Sequence, residues 1–173
     1  YYNTAIGYES LKTNQTGAAN TALGYLSLTA NTGNNNTAVG FASLKTNAAG
    51  GQNTAVGQES LFTNATTSNN TALGFQAGYT TTGTENTAFG ANAADSMTTG
   101  NYNTAVGKDA LNVATTGNYN TAVGISAGNK VSTGGNHTLL GQGAGGELTT
   151  ANNCLILGYD AGMAGSPGGA ITA

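Results

Sequence analysis

Polar and apolar positions recur along the chain in one order, Asn-Thr-Ala-aliphatic-Gly, with a period of 17 residues that shortens twice to 16. The closing glycines are Gly7, Gly24, Gly40, Gly57, Gly74, Gly90, Gly107, Gly124, Gly141 and Gly158. Each follows an apolar residue: Ile6, Leu23, Val39, Val56, Leu73, Phe89, Val106, Val123, Leu140 or Leu157. The phrase opens on Asn3, Asn20, Asn36, Asn53, Asn70, Asn86, Asn103 and Asn120, and then on His137 and Cys154. Self-similarity at a fixed short period is the signature of repeat architectures. β-Branched Thr and Val with recurrent glycine disfavour a helix and favour a short strand. Turn-rich links such as "TTGNY" and "STGGN" separate the phrases. Hairpins are not indicated, because the Asn-Gly and Asp-Gly dipeptides of tight β-turns are absent. The pattern therefore predicts an all-β parallel solenoid of about ten coils of 16–17 residues, spanning 1–173 as one repeat domain.

Side chains alternate along a strand, so Thr and the aliphatic residue share one face and Asn, Ala and Gly share the other. The reading taken from this is that the aliphatic column fills the coil, while Ala and Gly form a thin face open to a neighbouring backbone layer. Asn columns are expected to bond amide to amide along the rod, as Asn ladders do in cross-β packing. The glycine column calls for positive φ or for a close approach that forbids a Cβ; either makes alanine harmful there. Leu139 and Ile156 replace the alanine late in the chain, and the close approach is expected to open there, where the rod meets a different module. The second half of the coil has two dialects. Leu11, Leu28, Leu44 and Leu61 occupy one column early, whereas Gly78, Gly128, Gly145 and Gly162 take it later with an apolar residue three places on, as at Val131 and Leu148. A second strand that shifts register partway along is the expectation.

Composition narrows the function. Only 6% of residues are charged, the formal net charge is −3, and the basic residues are four lysines; a nucleic-acid interface needs a basic stripe. No run approaches the length of a transmembrane helix, so no membrane insertion is expected of this segment. The chain opens without methionine and reads as an excerpt of a longer fibre. Glu9, Glu59, Glu85, Asp95, Asp109, Glu147 and Asp160 are scattered, with no acid pair, no metal-ligand spacing and no calcium-binding GGxGxD phrase; no catalytic residue, metal or cofactor is expected. "GQGAGG" at 141–146 lacks the Lys-Ser or Lys-Thr of a phosphate loop. His137 and Cys154 read as variants of the Asn ladder.

Aromatic residues are the candidate ligand contacts. Tyr8, Tyr25 and Phe41 follow the glycine, on the same side as the aliphatic column, and are expected to pack within or between protomers or, if the strand ends at the glycine, to present ring faces to sugars. Tyr2, Tyr102 and Tyr119 precede the Asn column at an exposed turn.

The phrase N-T-A-[VIL]-G-x-x-[SA]-[LG], as in "NTAIGYESL", "NTAVGQESL" and "NTALGFQAG", resembles the repeats of bacterial and phage tail-fibre-like surface proteins that often carry an endosialidase-type chaperone domain. It is also similar to the head repeats of trimeric autotransporter adhesins (YadA-like, Hep/Hag), whose repeat is shorter. The resemblance covers essentially the whole chain. It implies a homotrimer of left-handed parallel β-rolls displayed at the cell surface, extracellularly or on a virion or injection particle, with a cell-surface glycan or receptor as partner. The expected function is that of a structural, adhesive fibre segment that spaces or presents a receptor-binding element. The alternative is an ice-binding solenoid using its Thr ladder. A polysaccharide-cleaving enzyme comes third.

Overall fold

A computed structural model describes residues 2–162 and 171–172. It is all-β: ten parallel strands stack in chain order into one sheet, from β1 (Thr4–Ile6) and β2 (Thr21–Leu23) through β9 (Thr138–Leu140) and β10 (Cys154–Leu157). β3 to β8 start at Thr37, Thr54, Thr71, Thr87, Thr104 and Thr121. The columns read from the sequence are the register, with Thr opposite Thr and Ala opposite Ala in successive coils. An eleventh strand, β11 (Ile171–Thr172), lies antiparallel on the free edge of β10, an element the repeat does not announce.

Strands last three residues because the following glycine turns the chain. Gly107 has φ +127° and Gly124 +138°, a region open only to residues without a Cβ. Close approach acts at the same place, since a Cβ on Gly107 would stand 2.5 Å from the Gly124 carbonyl oxygen. Beyond the corner the predicted second strand is absent. Bends take its place, with left-handed residues at two columns, such as Glu59 and Leu61, φ 57° and 47°. The coil is still tied to its neighbour around the perimeter: Thr4 N–H donates to the Asn20 carbonyl at 2.8 Å, and Leu28 N–H to the Ser43 carbonyl at 3.1 Å.

The two faces of the strand are the reverse of the sequence expectation. Ala22, Ala38, Ala55, Ala72, Ala105 and Ala122 are fully buried inside the coil, while Ile6, Leu23, Leu73, Phe89, Val123 and Leu157 point outward and are exposed. The interior is too thin for an aliphatic residue from the strand, because the leucine column from the second half already fills it: Leu28, Leu44, Leu61 and Leu111 are buried opposite the alanines.

This explains the dialects and corrects the reading of the last coils. The leucine column has positive φ, 46° at Leu111 and 49° at Leu28, which costs a Cβ-bearing residue roughly 1 kcal/mol or more. Where glycine takes that column the strain is relieved but volume is lost, and another interior position supplies it. Val131 is fully buried three residues after Gly128, and Met97 takes the same place after Ala94, a small residue that keeps a positive φ of 52° but likewise leaves volume to fill. In the last coils the strand itself supplies the volume: a Cβ on Gly145 would meet Leu139 Cδ2 at 2.8 Å, and one on Gly162 would meet Ile156 Cδ1 at 2.8 Å. Leu139 and Ile156 therefore do not mark an opening to another module; they are buried filler, and the register never shifts. Leu139→Ala is expected to lower stability by about 2–4 kcal/mol. Adding Gly145→Leu, which recreates the Ala105/Leu111 arrangement, should recover part of that loss in chemical denaturation.

Candidate functional site

Outward columns of the strand face make a continuous surface. Thr4, Thr21, Thr54, Thr71 and Thr138 are exposed beside the exposed aliphatic column. The column after the glycine adds Tyr8, Tyr25, Phe41 and Phe75, all exposed, and Ile125 further along. Nine strand-to-strand steps of about 4.8 Å make this face about 43 Å long. Among the described residues its charge is sparse. Lys108 sits 3.1 Å from the Asp109 carboxylate, and Lys12 holds Glu9 at 2.7 Å. That bond, with one from Tyr8, keeps the Glu9 carboxyl below its ordinary range, while the same Glu9 contact raises the Tyr8 phenol; both groups are solvent-exposed, so neither matters to stability.

Tyr8, Tyr25 and Phe41 form a ladder. Ring centroids are 5.2 Å and 5.3 Å apart with planes 15° and 7° from parallel. Tyr102 and Tyr119 stack at 4.9 Å and 1°, while Tyr2 is 90% exposed. Residues one coil apart that stack in parallel use their faces on each other, along the rod. Outward they present ring edges and hydroxyls. The sugar platform considered for these rings needs an open face, which only the two ends of each stack provide. Tyr102 and Tyr119 also share φ 58° with one another, which holds both backbones in one conformation and sets the rings in register.

The asparagines lie inside, away from this face. Asn20, Asn36, Asn53, Asn70, Asn103 and Asn120 are at most 1% exposed. Their bonding differs from a simple amide-to-amide ladder. Each Oδ1 accepts the backbone N–H of the next rung, as Asn103 does from Asn120 at 3.0 Å. Each Nδ2 donates to a carbonyl of the turn that leads into the next rung, as Asn103 does to Gly117 at 2.9 Å. The side chain thus satisfies two buried backbone groups that the tight turn would otherwise leave unpaired. Amide-to-amide contacts add to this at some rungs: Asn103 Nδ2 also reaches Asn86 Oδ1 at 3.1 Å, and in a second column Asn47 Nδ2 donates to Asn31 Oδ1 at 2.7 Å and Asn64 Nδ2 to Asn47 Oδ1 at 3.4 Å. The sequence reading missed that column, although Asn14, Asn31, Asn47 and Asn64 share one place in the period. It also missed Phe62 stacked on Tyr79 at 5.1 Å with the Lys45 ammonium 5.4 Å from the Phe62 centroid.

Chemistry beyond binding has little to work with. Among the described residues no three His, Cys, Asp or Glu side chains are grouped to hold a metal ion, and no helix is long and apolar enough to cross a membrane. Comparison with known proteins finds no matching family model, no similar curated protein and no similar solved structure.

Proposed function

We propose that the chain is a structural and adhesive fibre segment that works as a homotrimer outside the cell, or on a virion or injection particle, and spaces or presents an element that engages a cell-surface glycan or receptor. The observation that carries this reading is the outward apolar column before the glycine, unbroken through ten coils, with Ile6 59%, Phe89 50% and Leu157 55% exposed in a single copy. At about 43 Å by roughly 15 Å the face that holds this column covers on the order of 600 Å², the upper end of the patches monomers leave bare and approaching the area of about 800 Å² that one partner gives to a standard interface. The tail-fibre-like resemblance of the repeat supplies the trimer and the location.

Mass in solution tests it. The native particle is expected to weigh three times the 17.0 kDa of the chain, and Val56→Lys with Val106→Lys is expected to release monomers without unfolding the coil, since both side chains face outward. A stable monomer of the parent chain would sink the fibre reading. One observation favours the alternative in that event: the Thr column is on the outer face at sheet spacing, where an ice-binding surface needs it. A monomer showing thermal hysteresis would transfer the function there.

A further inference from the structure

The ladder of buried side chains is asparagine from Asn20 to Asn120 and then becomes His137 and Cys154. His137 keeps the ladder's geometry. Its N–H donates to Asn120 Oδ1 at 3.1 Å, and its Nδ1 accepts the Cys154 N–H at 3.2 Å. The ring is 1% exposed. Only the tautomer with its hydrogen on Nε2 has the lone pair that Cys154 requires, so the bond assigns the tautomer. Nε2 in turn has no partner in hydrogen-bond geometry; the Ala151 carbonyl lies near enough to favour the proton slightly but not to satisfy it. An asparagine amide stays neutral over the whole range in which proteins survive. An imidazole does not.

We propose that His137 is an acid-operated latch: when its ring takes a second proton, Nδ1–H meets the Cys154 N–H head on, and the tenth coil, with β11 paired to it, parts from the ninth. Nothing around the ring compensates the charge. The preceding coil offers the neutral Asn120 amide, the ring's own coil offers Gly134, and the next coil offers the Ala151 backbone and Cys154, whose Sγ lies 3.6 Å from the Asn152 carbonyl. Among the described residues no charged group acts on the ring, and the titratable residue bonded to it, Cys154, meets it through its backbone N–H. Lys130 and Glu147, the ionised pair of these coils, bind each other at 2.7 Å on the outer surface.

Burial holds the imidazole below its ordinary 6.5 in the closed rod. The opened coil regains the ordinary value and so binds the proton first. Closure is therefore complete above about pH 6.5 and is lost as pH falls from there toward the closed-state value. One pH unit below 6.5 can raise the ratio of open to closed by at most about tenfold.

Amide hydrogen exchange on the intact protein at pH 7.5 and 5.5, corrected for intrinsic rates, tests this. Protection at Cys154, Gly158 and Asp160 is expected to fall, by up to about tenfold, on acidification while Thr104 and Gly107 hold. In His137→Asn, which restores the residue of eight other coils, the fall should vanish. Equal protection at both pH values, or a fall that persists in His137→Asn, overturns the proposal. Because the chain has one histidine, its imidazole NMR signal is unambiguous and decides the matter even if the variant does not fold. A smooth titration near 6.5 with unchanged protection would show that the closed coil accepts the proton, and the latch would not exist.

Discussion

Gly107→Ala is expected to collapse the middle of the rod. At φ +127° the new Cβ would lie 2.5 Å from the Gly124 carbonyl oxygen and 2.6 Å from its carbon. Both are backbone atoms, and neither is free to move. Gly124 N–H is tied to the Val106 carbonyl at 2.8 Å and Gly107 N–H to the Phe89 carbonyl at 2.7 Å, so relief at one corner strains the corners on either side. Backbone in a glycine-only region combined with a clash places the cost at about 3 kcal/mol or more. Thermal unfolding followed by circular dichroism is the measurement. Lys108→Ala, one residue on but exposed, should stay within about 0.5 kcal/mol of the parent. A Gly107→Ala variant as stable as Lys108→Ala would refute this account of the corner.

Asn103→Ala is expected to be nearly as damaging, by another mechanism. Removing the amide leaves the Asn120 N–H and the Gly117 carbonyl buried without partners, where they now bond Asn103 at 3.0 Å and 2.9 Å. Each unpaired buried group costs about 1–3 kcal/mol, which puts the variant roughly 2–6 kcal/mol below the parent in denaturant titration. The half-buried Asn129, outside the ladder, provides the comparison: Asn129→Ala should cost under about 1 kcal/mol. Equal costs at the two sites would mean that water replaces the ladder bonds.

The periodicity made the solenoid, its coil count and its register legible, because one residue type in one place of each period leaves few other ways to pair. The glycine corner was legible for the same reason, and here both proposed causes, positive φ and close approach, operate together. The second half of the coil was harder. Leu11, Gly78 and Ala94 occupy one column and seem unrelated until the space they share with Ala5, Thr81, Met97 and Leu139 is seen to be common. Volume is conserved across a coil by positions three to nine residues apart, and no local pattern of hydrophobic period records that. The candidate surface was legible only in part. Tyr102 and Tyr119 were read as exposed, but their mutual stacking, which hides their faces, needs the coordinates of two coils at once.

Alternation along "NTAVG" establishes that Ala and Val lie on opposite sides of the strand and that each column repeats at sheet spacing. It is silent on which side is inside, because a strand of three residues between two corners can be turned over without breaking the pattern. Hydrophobicity alone favours Val inside, and that preference loses. The coil is so narrow that one large side chain spans it, Leu111 from the second half or Leu139 from the strand, never both in one coil. Space across the coil, which exists only once the chain has closed on itself, therefore sends Ala inward and leaves the aliphatic column bare.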